Sequence, residues 1–178
     1  MPAVVLFDLD GTLVEDVPHN TDPERVRARP YAGEALELLR AAGVPAGVVT
    51  NQPDLGRGVR SRSQLEAVQG RVEELLGPFA VTVLCPHPPE AGCACRKPEP
   101  GLVLVACRVL GVRPEESVVI GDIGTDMAAA DRAGATGVLV PDAATRPQEV
   151  RAAPRTAPDL ATAVRTAVLS PGRYGGPS

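Results

Sequence analysis

Short, mostly apolar runs recur along the chain, and each stops at a polar residue or a glycine. The first is Val4–Phe7, which runs straight into Asp8. Residues 46–49, 80–84, 117–120 and 136–140 repeat the pattern. Runs this short, bounded by turn residues, predict strands buried on both faces. Between them the period changes. In Ala32–Ala42 the apolar positions Ala35, Leu36, Leu38, Leu39 and Ala42 fall at helical spacing, and Gly43 supplies a C-terminal stop. Helices are predicted in the same way over 63–76, stopped by Gly77-Pro78, over 102–110, closed by Gly111, over 126–133, closed by Gly134, and over 159–168. Residues 15–30 and 85–100 are polar and proline-punctuated and read as loops. The Gly/Pro-rich stretch 170–178 reads as a mobile tail.

Strands alternating with helices predict an α/β fold: a Rossmann-like parallel sheet with helices on both faces. In such sheets ligands bind beyond the carboxyl ends of the strands. Polar residues are placed there: Asp8 and Asp10 after the first strand, Thr50 after the second, Asp122 after the fourth. They are expected to converge on one edge.

Composition narrows what that edge can do. A length of 178 residues suits one domain, taken as residues 1–169, and 44% hydrophobic residues suffice for a core of Val, Leu and Ala. Aromatics are 2% with no Trp, which disfavours a binder that stacks bases. Net charge is −4 without any Lys/Arg run, so no footprint for nucleic acid or anionic lipid is present. No run approaches the ~18 apolar residues of a membrane span. The N-terminus reads as a strand rather than a signal peptide, so a cytoplasmic protein is expected.

Asp8-Leu9-Asp10-Gly11-Thr12 brings two carboxylates to one strand end. Their mutual repulsion calls for a cation, and a hard ion such as Mg²⁺ suits carboxylate oxygens. Asp122, within Gly121-Asp122-Ile123-Gly124-Thr125-Asp126, would add a ligand from another strand end. In order, Asp8-Leu9-Asp10-Gly11-Thr12, Thr50, Lys97 and Gly121-Asp122 through Asp126 resemble the four motifs of the haloacid-dehalogenase-like (HAD) superfamily phosphatases, over residues 4–140. The resemblance implies that Asp8 is a nucleophile that becomes an aspartyl phosphate and that Asp10 is the general acid and base. It further implies that Thr50 and Lys97 hold the phosphoryl group and that Mg²⁺ sits on Asp8, Asp122 and the backbone carbonyl of Asp10. Asp126 would orient Lys97 or a metal-bound water, or else serve only as a helix N-terminal carboxylate.

Cys85, His87, Cys93 and Cys95 crowd into 11 residues of the second loop. In a reducing compartment, a Cys₃His set points to a closed structural zinc site with no position left for activating water. Cys107 lies in an apolar helical stretch and reads as a core thiol. Cys-x-His and Cys-x-Cys-Arg-Lys-Pro, preceded by Thr50-Asn51-Gln52, resemble the D-glycero-D-manno-heptose 1,7-bisphosphate 7-phosphatase branch and its histidinol-phosphatase relatives. That implies a sugar bisphosphate substrate, with Arg96 on its second phosphate or sugar. Leu9 departs from the Arg usual in the branch, and Val17-Pro18-His19-Asn20 replaces its tyrosine-containing loop. Asn51 and Arg57 are candidate substrate contacts, and His19 reads rather as a solvated loop histidine.

Only 39 residues separate Asp10 from Thr50, and 46 separate Thr50 from Lys97. Neither gap admits a large cap domain, so the site should be open to a small phosphorylated metabolite. Histidinol phosphate is the substrate alternative. A receiver-like signalling domain and a non-catalytic zinc-stabilised scaffold are the alternatives of other classes. A monomer is the default expectation.

Overall fold

The computed structural model describes residues 1–169; the expected tail lies outside them. Five strands form one sheet: β1 (Val4–Phe7), β2 (Ala46–Asn51), β3 (Val81–Cys85), β4 (Ser117–Gly121) and β5 (Thr136–Leu139). Every pairing is parallel, in the order β3-β2-β1-β4-β5. Helices α1 (Ala32–Ala42), α2 (Pro53–Gly56), α3 (Arg62–Leu76), α4 (Gly101–Leu110), α5 (Gly124–Ala133), α6 (Pro147–Ala152) and α7 (Leu160–Leu169) make the connections. The expected elements form within one or two residues of their predicted ends. The short helices α2 and α6 were not foreseen, because four and six residues carry too little periodicity to read.

Alternation along the strands sorts the core into two layers. Val5 and Phe7 face one layer, where α1, α3 and α7 pack on Val48, Val118 and Ile120. Val4 and Leu6 face the other, where α4 and α5 supply Leu102, Val103, Ala106 and Ala130. Cys107 belongs to this second layer at 1% exposure, as a core thiol should. With few aromatics, the layers are filled by branched aliphatics, and all four residues of β1 are fully buried.

The strand order puts the site at a particular place. From β1 the chain steps outward through β2 to β3, then returns to β4 on the other side of β1. The direction of winding reverses between β1 and β4, and the crevice beyond that switch point is where doubly wound sheets hold ligands. Phe7 is in register with Ile120, and the Asp8 N–H donates to the Ile120 carbonyl at 2.9 Å. Asp8 and Asp122 therefore leave adjacent strands at the same level.

Between Asp10 and Thr50 the chain carries a loop with one 3₁₀ turn, α1 and the start of β2. Between Thr50 and Lys97 lie α2, α3, β3 and a second 3₁₀ turn at Pro89–Ala91. Among the described residues no cap domain covers the sheet edge. Among the described residues no helix is long and apolar enough to cross a membrane.

Candidate active site

Lys97 is the hub of the strand-end crevice. Its side chain is buried, with Nζ 2.5 Å from Asp8 Oδ1, 2.6 Å from Asp126 Oδ1 and 3.0 Å from the Val49 carbonyl. Burial alone would push the ammonium down. The charges of Asp8 and Asp126, and its hydrogen bonds to both, overcome that and hold it above its ordinary value. Asp126, with no exposed surface, also caps its helix by accepting from the Ile123 N–H at 3.3 Å. One carboxylate oxygen thus meets Lys97 and the other the helix N-terminus.

One oxygen each from Asp8, Asp122 and Asp126 lie within 4.8 Å of one another. Burial pushes the Asp8 carboxyl well up; Lys97 opposes this, while Asp126 and Asp122 add to it. Asp122 is pushed up to about 6, again mainly by burial, with the Thr12 hydrogen bond opposing and the charges of Asp126 and Asp142 reinforcing. A single ammonium does not balance this many buried carboxylates. The donor set is all oxygen and its charge is in excess, which fits a hard divalent cation. Thr12 Oγ1 donates to Asp122 Oδ1 at 2.7 Å and Thr145 Oγ1 to the Asp122 carbonyl at 2.7 Å, so this carboxylate is fixed in direction. At Gly11, φ is +88° and a Cβ would lie 2.6 Å from Asp122 Oδ2. A side chain there would displace the carboxylate.

Asp10 leans the other way, onto Gln52, whose Nε2 donates to Asp10 Oδ2 at 2.8 Å and to Thr50 Oγ1 at 3.0 Å. Burial raises the Asp10 carboxyl, opposed first by that Gln52 hydrogen bond. Asp8, Asp10, Thr50 and Lys97 line a cavity of about 430 Å³ whose outer wall includes Arg57 and Arg96. Ile123, partly exposed, contributes an apolar spot to the same wall.

Asn51 lines the same cavity, as a substrate contact would have to. Its Oδ1 accepts from the Lys97 N–H at 3.1 Å and its Nδ2 donates to the Lys97 carbonyl at 3.2 Å. Asn51 thus also braces the lysine loop, with a second N–H and a second lone pair of the amide left over. His19 is exposed over 66% of its side chain, yet its Nδ1 lies 2.7 Å from Asp54 Oδ2. It is therefore a held residue of the cavity wall, not a free one. Arg57 Nη2 stands 3.4 Å from Glu90 of the cysteine loop. Gln52, Asp54 and Arg60 are buried polar residues of the site that the motif reading passed over. The isolated Asp and Arg carry no local signal, since their pairing needs the turn at α2.

Cys85, His87, Cys93 and Cys95 converge, with their ligand atoms all within 4.8 Å. The sulfur separations are 3.1 Å for Cys85–Cys95, 3.4 Å for Cys93–Cys95 and 3.6 Å for Cys85–Cys93, and His87 Nδ1 is 3.2 Å from the Cys95 sulfur. None of the four is in a disulfide. Tetrahedral zinc with bonds of about 2.3 Å would set its sulfurs about 3.8 Å apart. The set is therefore compatible with zinc after an outward shift of under about 1 Å. Burial pushes the Cys85 thiol up to about 12. For Cys93 burial acts upward too, but the N–H groups of Arg96 and Cys95 and the neighbouring thiols prevail and bring it down to about 6. Cys85 ends β3 in register with Asn51, which ties the cluster to the Lys97 brace.

Comparison with known proteins gives a consistent picture. Residues 94–167 match the family model described as HAD-hyrolase-like. A D-glycero-beta-D-manno-heptose-1,7-bisphosphate 7-phosphatase of Mesorhizobium japonicum is 39% identical over 79% of this chain and 70% of its own length. The enzyme of the same name from Haemophilus ducreyi is 33% identical over 76% of this chain and 81% of its own. Among solved structures, the D,D-heptose 1,7-bisphosphate phosphatase of B. bronchiseptica, complexed with magnesium and phosphate, superposes with a TM-score of 0.83. It is 27% identical and covers 93% of this chain and 98% of its own.

Proposed function

The chain belongs to the HAD-like phosphatases, and we propose that it hydrolyses a sugar bisphosphate, a heptose 1,7-bisphosphate that loses its 7-phosphate, through an aspartyl phosphate on Asp8. The observation that carries this reading is the convergence of Asp8, Asp122 and Asp126 around Lys97 at the switch point of the sheet. Residues 1–169 act as one catalytic unit.

Asp8 attacks phosphorus while the bond to the leaving oxygen breaks, and Asp10 gives that oxygen a proton. Burial raises the Asp10 carboxyl, the direction that favours its proton-donating form. Asp10, now ionised, then takes a proton from the water that attacks the aspartyl phosphate, freeing inorganic phosphate and restoring Asp8. Thr50 and Lys97 hold the phosphoryl oxygens in both steps. Asp126 keeps Lys97 aimed, and Asn51 fixes the main chain that carries it. Asp8, Asp122 and the Asp10 carbonyl would hold Mg²⁺, which would supply charge neutralisation for the phosphoryl group and favour the ionised form of Asp8.

Cys85, His87, Cys93 and Cys95 hold a structural zinc that sets the loop on which Arg96 and Lys97 sit. The substrate class rests on the names of the relatives and on an open, cation-bearing wall, where Arg57 and Arg96 suit a second phosphate. The test is a screen of sugar bisphosphates, sugar monophosphates and histidinol phosphate with Mg²⁺ present and zinc quantified. Highest kcat/KM on a heptose bisphosphate is expected. Preference for histidinol phosphate overturns the substrate, and no turnover of any phosphate ester overturns the enzyme in favour of a signalling or scaffold role.

A further inference from the structure

The segment after β2 folds back on itself. The Val59 and Arg60 N–H groups donate to the Asp54 carbonyl at 2.9 and 3.2 Å, which returns Arg60 over Gln52. Arg60 Nη1 then donates to Gln52 Oε1 at 2.9 Å, and its Nη2 lies 3.9 Å from Asp54 Oδ2. Arg60 is 8% exposed and Gln52 5%, so neither interaction is loosened by water. A guanidinium buried this far needs a counter-charge. Asp54, which also takes His19, provides it.

The consequence concerns hydrogens. A glutamine amide has nearly the same shape either way round, with an acceptor at one end and two donors at the other. Arginine has donors only. Arg60 therefore fixes the oxygen end of Gln52 toward itself and the NH₂ end toward Asp10 and Thr50. Asp10 Oδ2 receives one of those hydrogens, which leaves Oδ1 as the oxygen that carries the transferable proton. Thr50 Oγ1 receives the other, so its own hydrogen points elsewhere and is free for a phosphoryl oxygen. We infer that Gln52 and Arg60 are positioning residues that fix the direction of the Asp10 proton and of the Thr50 hydroxyl for phosphoryl transfer. This rests on the reading of Asp10 as the general acid.

The test compares two leaving groups. An alkyl phosphate, such as a sugar phosphate, needs its leaving oxygen protonated; p-nitrophenyl phosphate releases a stable phenolate and needs little help. Arg60→Met and Gln52→Met are each expected to lower kcat/KM, which reports the steps up to departure of the leaving group, roughly 10–100-fold on the sugar phosphate, part of what a general acid contributes. On p-nitrophenyl phosphate the loss in kcat/KM should stay within about 5-fold, reflecting the Thr50 contact, because water activation by Asp10 follows that departure. If Arg60→Met does not fold, Gln52→Met carries the test, since it leaves Arg60 beside Asp54. Equal losses on both substrates, or none on either, overturn the proposal. Asp10→Asn is measured in parallel: a leaving-group split there with none in the two Met variants overturns the positioning role alone. No split in Asp10→Asn overturns the acid assignment and the proposal with it.

Discussion

Two clusters of side chains that could hold a metal flank Lys97, and they are built in opposite ways. Asp8 lies far along the chain from Asp122 and Asp126, and the hydrogen-bonded register of β1 and β4 brings it to them. Cys85, His87, Cys93 and Cys95 lie within 11 residues, and only Cys85 stands on a strand. The first cluster is preorganised by the core and would keep its shape without an ion, under electrostatic strain. The second has no regular structure beyond one 3₁₀ turn and little apolar surface to fold it. On the proposed reading its order would come from what it binds, as in small zinc modules. A metal would relieve charge in the one and supply structure in the other.

The largest effect that tests this contrast is at Asp8. Asp8→Asn should abolish turnover, by on the order of 10⁴-fold or more for loss of a nucleophile, with unchanged circular dichroism. Persistent turnover would show that the carboxylate cluster does not act covalently. Next is the cysteine loop. Cys95→Ser, or zinc removal by a chelator followed by return of Mg²⁺, should lower kcat about 10–100-fold through Lys97 and Arg96, as losses of supporting metal shells do. Helix and strand content should survive, since both core layers lie on the sheet and not on the loop. Loss of the whole fold would erase the distinction between the two clusters.

A smaller effect should be visible in stability. The Asp122 carboxyl is raised from an ordinary value near 3.8 to about 6. The folded protein then binds more protons than the unfolded chain between those values, and stability falls as pH rises through that window. In magnesium-free buffer with zinc retained, Asp122→Asn should match the parent near pH 3.5. Above pH 6 it should exceed the parent by up to about 3 kcal/mol. Denaturant titrations at the two pH values measure this, and Mg²⁺ should close the gap. A parent more stable than the variant above pH 6 would mean that the carboxylates are not in excess. The smallest effect is expected at Cys107, which shares its residue type with the loop but not its role. Cys107→Ala should cost about 1 kcal/mol and leave zinc content unchanged; loss of zinc would make it a ligand.

The strand-end acids, Thr50 and the cysteine spacing were all legible in the sequence, because each rests on local features: a buried apolar run, its polar terminus, or donors a few residues apart. Asn51 shows what such reading leaves out. The motif around Thr50-Asn51-Gln52 marked it for substrate and it does line the cavity, but its hydrogen bonds to the main chain of Lys97, 46 positions away, arise only because the pairing of β2 with β3 brings the two alongside. Arg60 carried no signal at all, since its contact with Gln52 depends on the turn through α2.

By itself, then, the sequence determined the alternation of strand and helix, the chemistry present at the strand ends and the composition of the cysteine loop, for these follow from periodicity and residue type. Only the tertiary structure decided that the sheet reverses direction between β1 and β4, that Lys97 lies between Asp8 and Asp126, and that Gln52 is turned by Arg60 toward Asp10 and Thr50. Those outcomes depend on which distant segments pack together in the two core layers, and on buried hydrogen bonds that form only once water has been excluded.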